Sequence, residues 1–319
     1  MLDRGPIDGP RPLQEVCTMS RTVTVGLDGS RESLAAAEWA AREAKLRGLP
    51  LRLVNVWEPL PLLQAPFMGA ETEQDWTRQI PREAAEELGR RHPGLDVTWE
   101  QLTGRPAEVL AEAAETADLL VLGSEGLSTI GGFLVGSVGQ AVVARAERPV
   151  VVVRALAQDD ADAGADIAES GGEQPAPDGP VVLGLDANAP DDALIAFAFE
   201  AAARRETELR VVHSWSLPPY FAYGLPPDPQ LDAQLAETEA AALTEALRPW
   251  RQKHPSVAVV EDSRPGKTVD QLVAASHGAA LLVVGRRIRH ATPFGGRIGS
   301  VAHAVLHHAT APVAVIPHQ

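Results

Sequence analysis

The chain is written twice. "VTVGLDGS" at 23–30 returns as "VVLGLDAN" at 181–188, and "LRLVNVWEP" at 51–59 returns as "LRVVHSWSL" at 209–217. "ADLLVLGS" at 117–124 matches "AALLVVGR" at 279–286, and "GSVGQAVVARAERPVVVV" at 136–153 matches "GSVAHAVLHHATAPVAVI" at 299–316. The blocks keep one order at a spacing of about 160 residues, far longer than any solenoid repeat. The sequence therefore encodes one fold twice, in domains of ordinary size. We place them at residues 19–155 and 180–319.

A Pro/Gly-rich leader, 1–18, precedes the first copy, and an acidic stretch, 156–179, separates the two. That stretch has almost no large apolar residues. It cannot bury enough surface to offset the entropy of ordering, so it reads as a flexible linker. A net charge of -15 and an aromatic content of 4% argue against a nucleic-acid partner, which needs a basic patch or stacking platform. The one cysteine, Cys17, excludes an intrachain disulfide and a cysteine zinc site. No apolar run approaches the length of a membrane span and no signal core opens the chain. The expected compartment is the cytoplasm, with no membrane partner.

Within a copy, strands and helices alternate. In the first, "RTVTVGLD" and "LPLRLVNVWE" are β-branched strands, with an Ala-rich helix between them. Ser30 is its expected N-cap and Gly48 its stop. Pro106 sits in the first turn of a later helix. "DLLVLGS" is a strand apolar throughout, "SVGQAVVARAE" a helix and "RPVVVVRA" the last strand. Such alternation predicts an α/β fold: a parallel sheet with helices on both faces. Its ligands bind at the carboxyl ends of strands, at a topological switch point.

At one of those ends lies "VLGSEGLSTIGGFLVGSV", 121–138. Gly123, Gly126 and Gly136-Ser137 follow the spacing G-x2-G-x9-G-S. Glycines there let backbone approach a ligand, and Gly136 and Ser137 open a helix whose free N–H groups favour an anion. A glycine-rich turn with no ligand is the other reading. Asp28 ends the first strand on the same edge. Its carboxylate suits a ribose hydroxyl or an adenine amino group, or serves only as a turn carboxylate.

Taken together, "VTVGLDGS", "TGRPAEVL", "ADLLVLGSEG" and "GSVGQAVV…RPVVVV" resemble the universal stress protein family, here in tandem form. The resemblance implies two Rossmann-like domains of the adenine nucleotide alpha hydrolase-like kind, each with a five-stranded parallel sheet. It implies ATP as ligand in some members, alone or with Mg2+. On that pattern Asp28 contacts the nucleoside, with Gly26 and Leu27 flanking the base and Val56 in the adenine region. Gly123 and Gly126 line the phosphates, Gly136, Ser137 and Val138 close on them, and Leu122 and Ser124 belong to the same cofactor-binding set. The family also dimerises through its last strand. Here "RPVVVVRA" and "APVAVIPH" would pair within one chain as a pseudo-dimer, with a homodimer as a further option.

The second copy departs from the pattern. It keeps Asp186, Gly285, Gly299 and Ser300, but Ile288 stands at the second glycine and Asp186-Ala187-Asn188 replaces "DGS". Arg286, Arg287 and Arg289 either supply charge to a phosphate or face solvent and the acidic linker. "RPGKT" at 264–268 lacks the first glycine of a P-loop, since position 261 is Glu261. His303 and His307 at i, i+4 lack the glutamate of a zinc protease motif. The Pro-rich segments 58–69 and 217–229 are lids, partner surfaces or irregular crossovers. No base or nucleophile is poised for fast turnover. The expected function is adenine-nucleotide binding in a stress-response sensor or regulator, with a slow ATPase or a nucleotide-free interaction module as alternatives.

Overall fold

Strands that are apolar throughout can serve two faces at once, because neighbouring side chains point to opposite sides of a sheet. The computed structural model describes residues 21–59, 70–124, 136–155, 178–217, 228–288 and 296–319. The leader, residues 156–177 of the acidic stretch, Gly126, Arg289 and most of both Pro-rich segments lie outside these. In the first half β1 (Thr22–Leu27), α1 (Arg31–Arg47), β2 (Leu51–Trp57), α2 (Ala70–Arg91), β3 (Val97–Thr103), α3 (Pro106–Glu115), β4 (Ala117–Ser124), α4 (Ser137–Arg145) and β5 (Val150–Arg154) alternate. The second half repeats the scheme with β6 (Val181–Gly184), α5 (Asp192–Arg205), β7 (Leu209–Trp215), α6 (Pro229–Lys253), β8 (Val259–Pro265), α7 (Thr268–Ala275), β9 (Leu281–Arg287), α8 (Ser300–His308) and β10 (Val313–His318).

The strands form one sheet of ten, in the order β3-β2-β1-β4-β5-β10-β9-β6-β7-β8. Within each half every pairing is parallel. Each half is thus a Rossmann-like layer of five strands. Val23, Val25, Leu51, Leu53, Leu119 and Val121 enter one core layer, which includes buried residues of α1, α5 and α6. Val54, Leu120, Leu122, Val150 and Val152 enter the other, with residues of α3, α4, α7 and α8. The alternation accounts for the predominance of apolar residues in these strands.

Local chemistry sets the helix ends. Ser30 Oγ accepts from Ser33 N–H at 3.1 Å and caps α1. Gly48 stops it in the left-handed region, at φ 64, where glycine carries no Cβ penalty. Pro106 is the first residue of α3, where its missing N–H costs nothing.

The halves meet at β5 and β10, which pair antiparallel with Val152 opposite Val313 and Val150 opposite Val315. This pairing covers two edges that would otherwise be open. Arg154 donates to Leu306 O at 3.1 Å across the seam, and burial pulls its guanidinium down to about 10. Arg286 donates to Ala146 O and is only 4% exposed. It belongs to the seam, which corrects the reading of Arg286 as a phosphate-compensating charge. A buried ion cluster adds a second bridge. Arg47 Nε donates to Glu43 at 2.6 Å, and Arg205 of the second half donates to the other oxygen of the same carboxylate. No helix of the described residues is long and apolar enough to cross a membrane.

Candidate functional site

In the first half the chain passes from β1 to β2 on one side and returns to β4 on the other. The crevice between β1 and β4 is the switch point where sheets of this kind hold ligands. A cavity of about 390 Å³ opens there. Gly26, Leu27, Asp28, Val56, Leu122, Gly123, Ser124, Gly136, Ser137 and Val138 all line it. The sequence also marked Gly126, which lies outside the described residues.

One end of the cavity is polar and rigid. Asp28 Oδ1 accepts from Ser30 N–H at 2.9 Å and Ser30 Oγ at 2.6 Å. Ser33 Oγ donates to Ser30 O at 2.9 Å and receives Asp28 N–H at 3.4 Å. Burial pushes the Asp28 carboxyl up, but hydrogen bonds from Ser30 and Ser33 outweigh it and hold the group below its ordinary value. Asp28 is therefore ionised at neutral pH and serves as an acceptor. Behind it Asn55 Nδ2 donates to Leu27 O at 2.8 Å, and Gln101 Nε2 donates to Asn55 Oδ1 at 3.1 Å. These bonds fix the carboxyl end of β1.

The floor is apolar, made by Val54, Val56, Leu110 and Leu122. The far end is the first turn of α4. Gly136 is its N-cap, with no side-chain cap bond, so the helix itself leaves the first-turn N–H groups without acceptors. Ser124 adds the most informative atom. The residue is 2% exposed, and its Oγ has no hydrogen-bond partner among the described residues. A buried orphan hydroxyl at a cavity wall is costly unless a ligand or water satisfies it.

Gly123 also has a packing role. A Cβ there would lie 2.5 Å from Glu32 O and 2.7 Å from Ser33 N. The glycine lets β4 abut the first turn of α1. Sequence reasoning missed Ser33, Asn55, Val54 and Leu110. Ser33 sits three residues after the N-cap, a spacing that was legible. Asn55 inside an apolar strand was a second available signal.

The model of the universal stress protein family matches residues 19–154 and 179–317. Universal stress proteins of Mycobacterium tuberculosis and Mycobacterium bovis are 35% identical over 309 residues, covering 92% of this chain and 96% of theirs. One from Mycolicibacterium smegmatis is 31% identical over 304 residues, with the same coverage. The chain belongs to the universal stress protein family. A crystal structure of a universal stress protein from Archaeoglobus fulgidus superposes with a TM-score of 0.65 at 16% identity, covering 94% of this chain and 99% of that one. That likeness speaks for the fold.

The second universal stress protein domain has its own crevice, between β6 and β9, with a cavity of about 630 Å³. Asp186, Gly285, Gly299 and Ser300 all line it. Asp186 Oδ1 accepts from Asn188 N–H at 3.1 Å, the same turn as at Asp28. His213 takes the place of Asn55. Its Nε2 lies 2.8 Å from Glu239 Oε2, and its Nδ1 lies 3.1 Å from Leu185 O and 3.2 Å from Ala187 N. Among the described residues, no three His, Cys, Asp or Glu side chains gather as a metal cluster. The His303 and His307 rings meet at a tilt of 47°, 4.5 Å between centroids.

Proposed function

We propose that the first domain binds an adenine nucleotide, ATP in particular, and that the protein acts as a stress-response sensor or regulator through its bound and free states. The observation that carries this reading is the unpartnered Ser124 hydroxyl, buried beside an uncapped helix N-terminus in the same cavity as an ionised Asp28. The cavity offers an acceptor at one end, an apolar floor for a flat base, and N–H and O–H donors at the other end. Those three kinds of surface suit the ribose, the adenine and the phosphates of one nucleotide. The family resemblance supports the same ligand. Ser124, Ser137 and the first turn of α4 would hold the phosphates, and Mg2+ would arrive on the phosphates themselves. The site works by binding and release, with no turnover required.

Titration calorimetry of the full chain tests this. ATP is expected to bind the wild type, and Asp28→Ala to weaken it by roughly tenfold to a hundredfold, the worth of a charged hydrogen bond. No heat with ATP, or unchanged affinity in a folded Asp28→Ala protein, contradicts the reading. ATP turnover above a denatured control and lost in Asp28→Ala would make the protein an enzyme instead.

A further inference from the structure

The two halves are alike in chain path and unlike in charge where they meet. In the first, Arg47 at the end of α1 donates from Nε to Glu43 and from Nη1 to Asp118, each at 2.6 Å. Its guanidinium lies over the Phe197 ring, 5.2 Å from the centroid. The repeat puts Arg205, Ala201 and Ala280 at the positions of Arg47, Glu43 and Asp118, and Phe197 at that of Trp39. The second half thus keeps the arginine and lacks both carboxylates. Arg205 donates instead to Ala201 O and, across the halves, to Glu43.

A cavity of about 610 Å³ opens beside Ala280, with Trp39, Leu46, Arg204, Arg205 and Pro312 in its lining. Ala280 precedes β9 and Pro312 precedes β10, so the cavity lies at the amino ends of the strands. Both crevices lie at the opposite ends and take no part. We propose that this cavity binds a small aromatic carboxylate. The ligand's carboxylate takes the place beside Ala280 that Asp118 fills in the first half, and its ring lies against Trp39.

Two guanidinium groups suit the charge. The Arg205 side chain is only 7% exposed, and a charged hydrogen bond is strongest away from water. Arg204 Nη2 donates to Glu200 at 2.8 Å. Its Nη1 is buried and has no hydrogen-bond partner among the described residues. A buried donor left so is costly, and an acceptor in the cavity satisfies it. Trp39 and Leu46 supply an apolar wall for a flat ring. The remaining charges limit the ligand to one negative charge. Glu43 lines the cavity, but Arg47 and Arg205 hold its two oxygens. At the exposed rim stand Arg42, Lys45, Asp178 and Glu206, and Arg42 already bonds Glu38 at 3.2 Å. Asp178 and Glu206 therefore repel a dianion such as a phosphate ester.

The Trp39 indole N–H resonance of the 15N-labelled full chain reads the site, once assigned by its loss in Trp39→Phe. Benzoate is expected to shift it saturably, with half-saturation near ~1 mM, ordinary for a ligand of that size. Benzamide keeps the ring and loses the charge, and is expected to need roughly tenfold more, the loss of one charged hydrogen bond. Arg204→Gln is expected to raise the benzoate half-saturation by roughly the same factor. Ala280→Asp supplies the carboxylate of the first half, and is expected to abolish the benzoate response while raising the denaturation midpoint. Benzoate leaving the resonance in place at about ten times the expected half-saturation overturns the proposal. So does benzamide or inorganic phosphate shifting it as readily as benzoate, or a folded Ala280→Asp protein that responds as the wild type does. Should Ala280→Asp fail to fold, benzamide and Arg204→Gln decide.

Discussion

Adjacent residues at the end of β4 separate fold from function. Gly123 and Ser124 both line the first cavity, yet their roles differ. A methyl at Gly123 meets backbone atoms of Glu32 and Ser33, which cannot turn away as a side chain would. Gly123→Ala is expected to destabilise the chain by about 2 kcal/mol or more through overpacking, read as a lower denaturation midpoint. Ser124→Ala removes an orphan hydroxyl and is expected to leave stability unchanged or slightly raised. The same variant should weaken ATP by roughly tenfold, the loss of one hydrogen bond to a charged group. If Ser124→Ala lowers the midpoint as Gly123→Ala does, Ser124 is a structural residue and the ligand assignment loses its main support. The motif in the sequence placed both residues at the site. It could not tell them apart, because the contact of Gly123 is with α1, some ninety positions upstream.

At the scale of elements, the start of α1 builds the site. Ser30 gives its hydroxyl to Asp28 and accepts from Ser33 N–H, so one side chain caps the helix and orients the carboxylate. Ser30→Ala is expected to cost about 1 kcal/mol of stability as a lost cap. It should also let the Asp28 carboxyl titrate closer to its ordinary value, since its largest stabilising hydrogen bond is gone. A carboxyl-carbon NMR titration checks this, and an unchanged Asp28 midpoint would contradict the account. The cap itself was legible in the sequence, as were Gly48 at the helix end and Pro106 at the start of α3. These signals are local and carry their own mechanism. The later start of α5 was less legible. Asp191 caps it through Ala193 and Leu194 N–H groups, three residues after the position equivalent to Ser30.

At the scale of the molecule, duplication told more than any single motif. Repeated blocks gave two units, and the alternation within each gave a parallel sheet with helices on both faces. They did not show that Arg286 would cross the seam to Ala146 O, or that Glu43 would lie between Arg47 and Arg205. Those contacts join residues on separate halves, and no spacing along the chain encodes them. Buried ion pairs of this sort contribute little net stability but tie orientation to partner geometry. The outcome is a single sheet with two crevices at the carboxyl ends of its two sets of strands, chemically unlike each other. The account therefore predicts ATP in the first crevice. The most direct check is a crystal structure of the full chain grown with ATP. Adenine should lie over Val54 and Val56, the ribose at Asp28, and the phosphates at Ser124 and the first turn of α4. A nucleotide bound elsewhere, or a first cavity empty at saturating ATP, would contradict it.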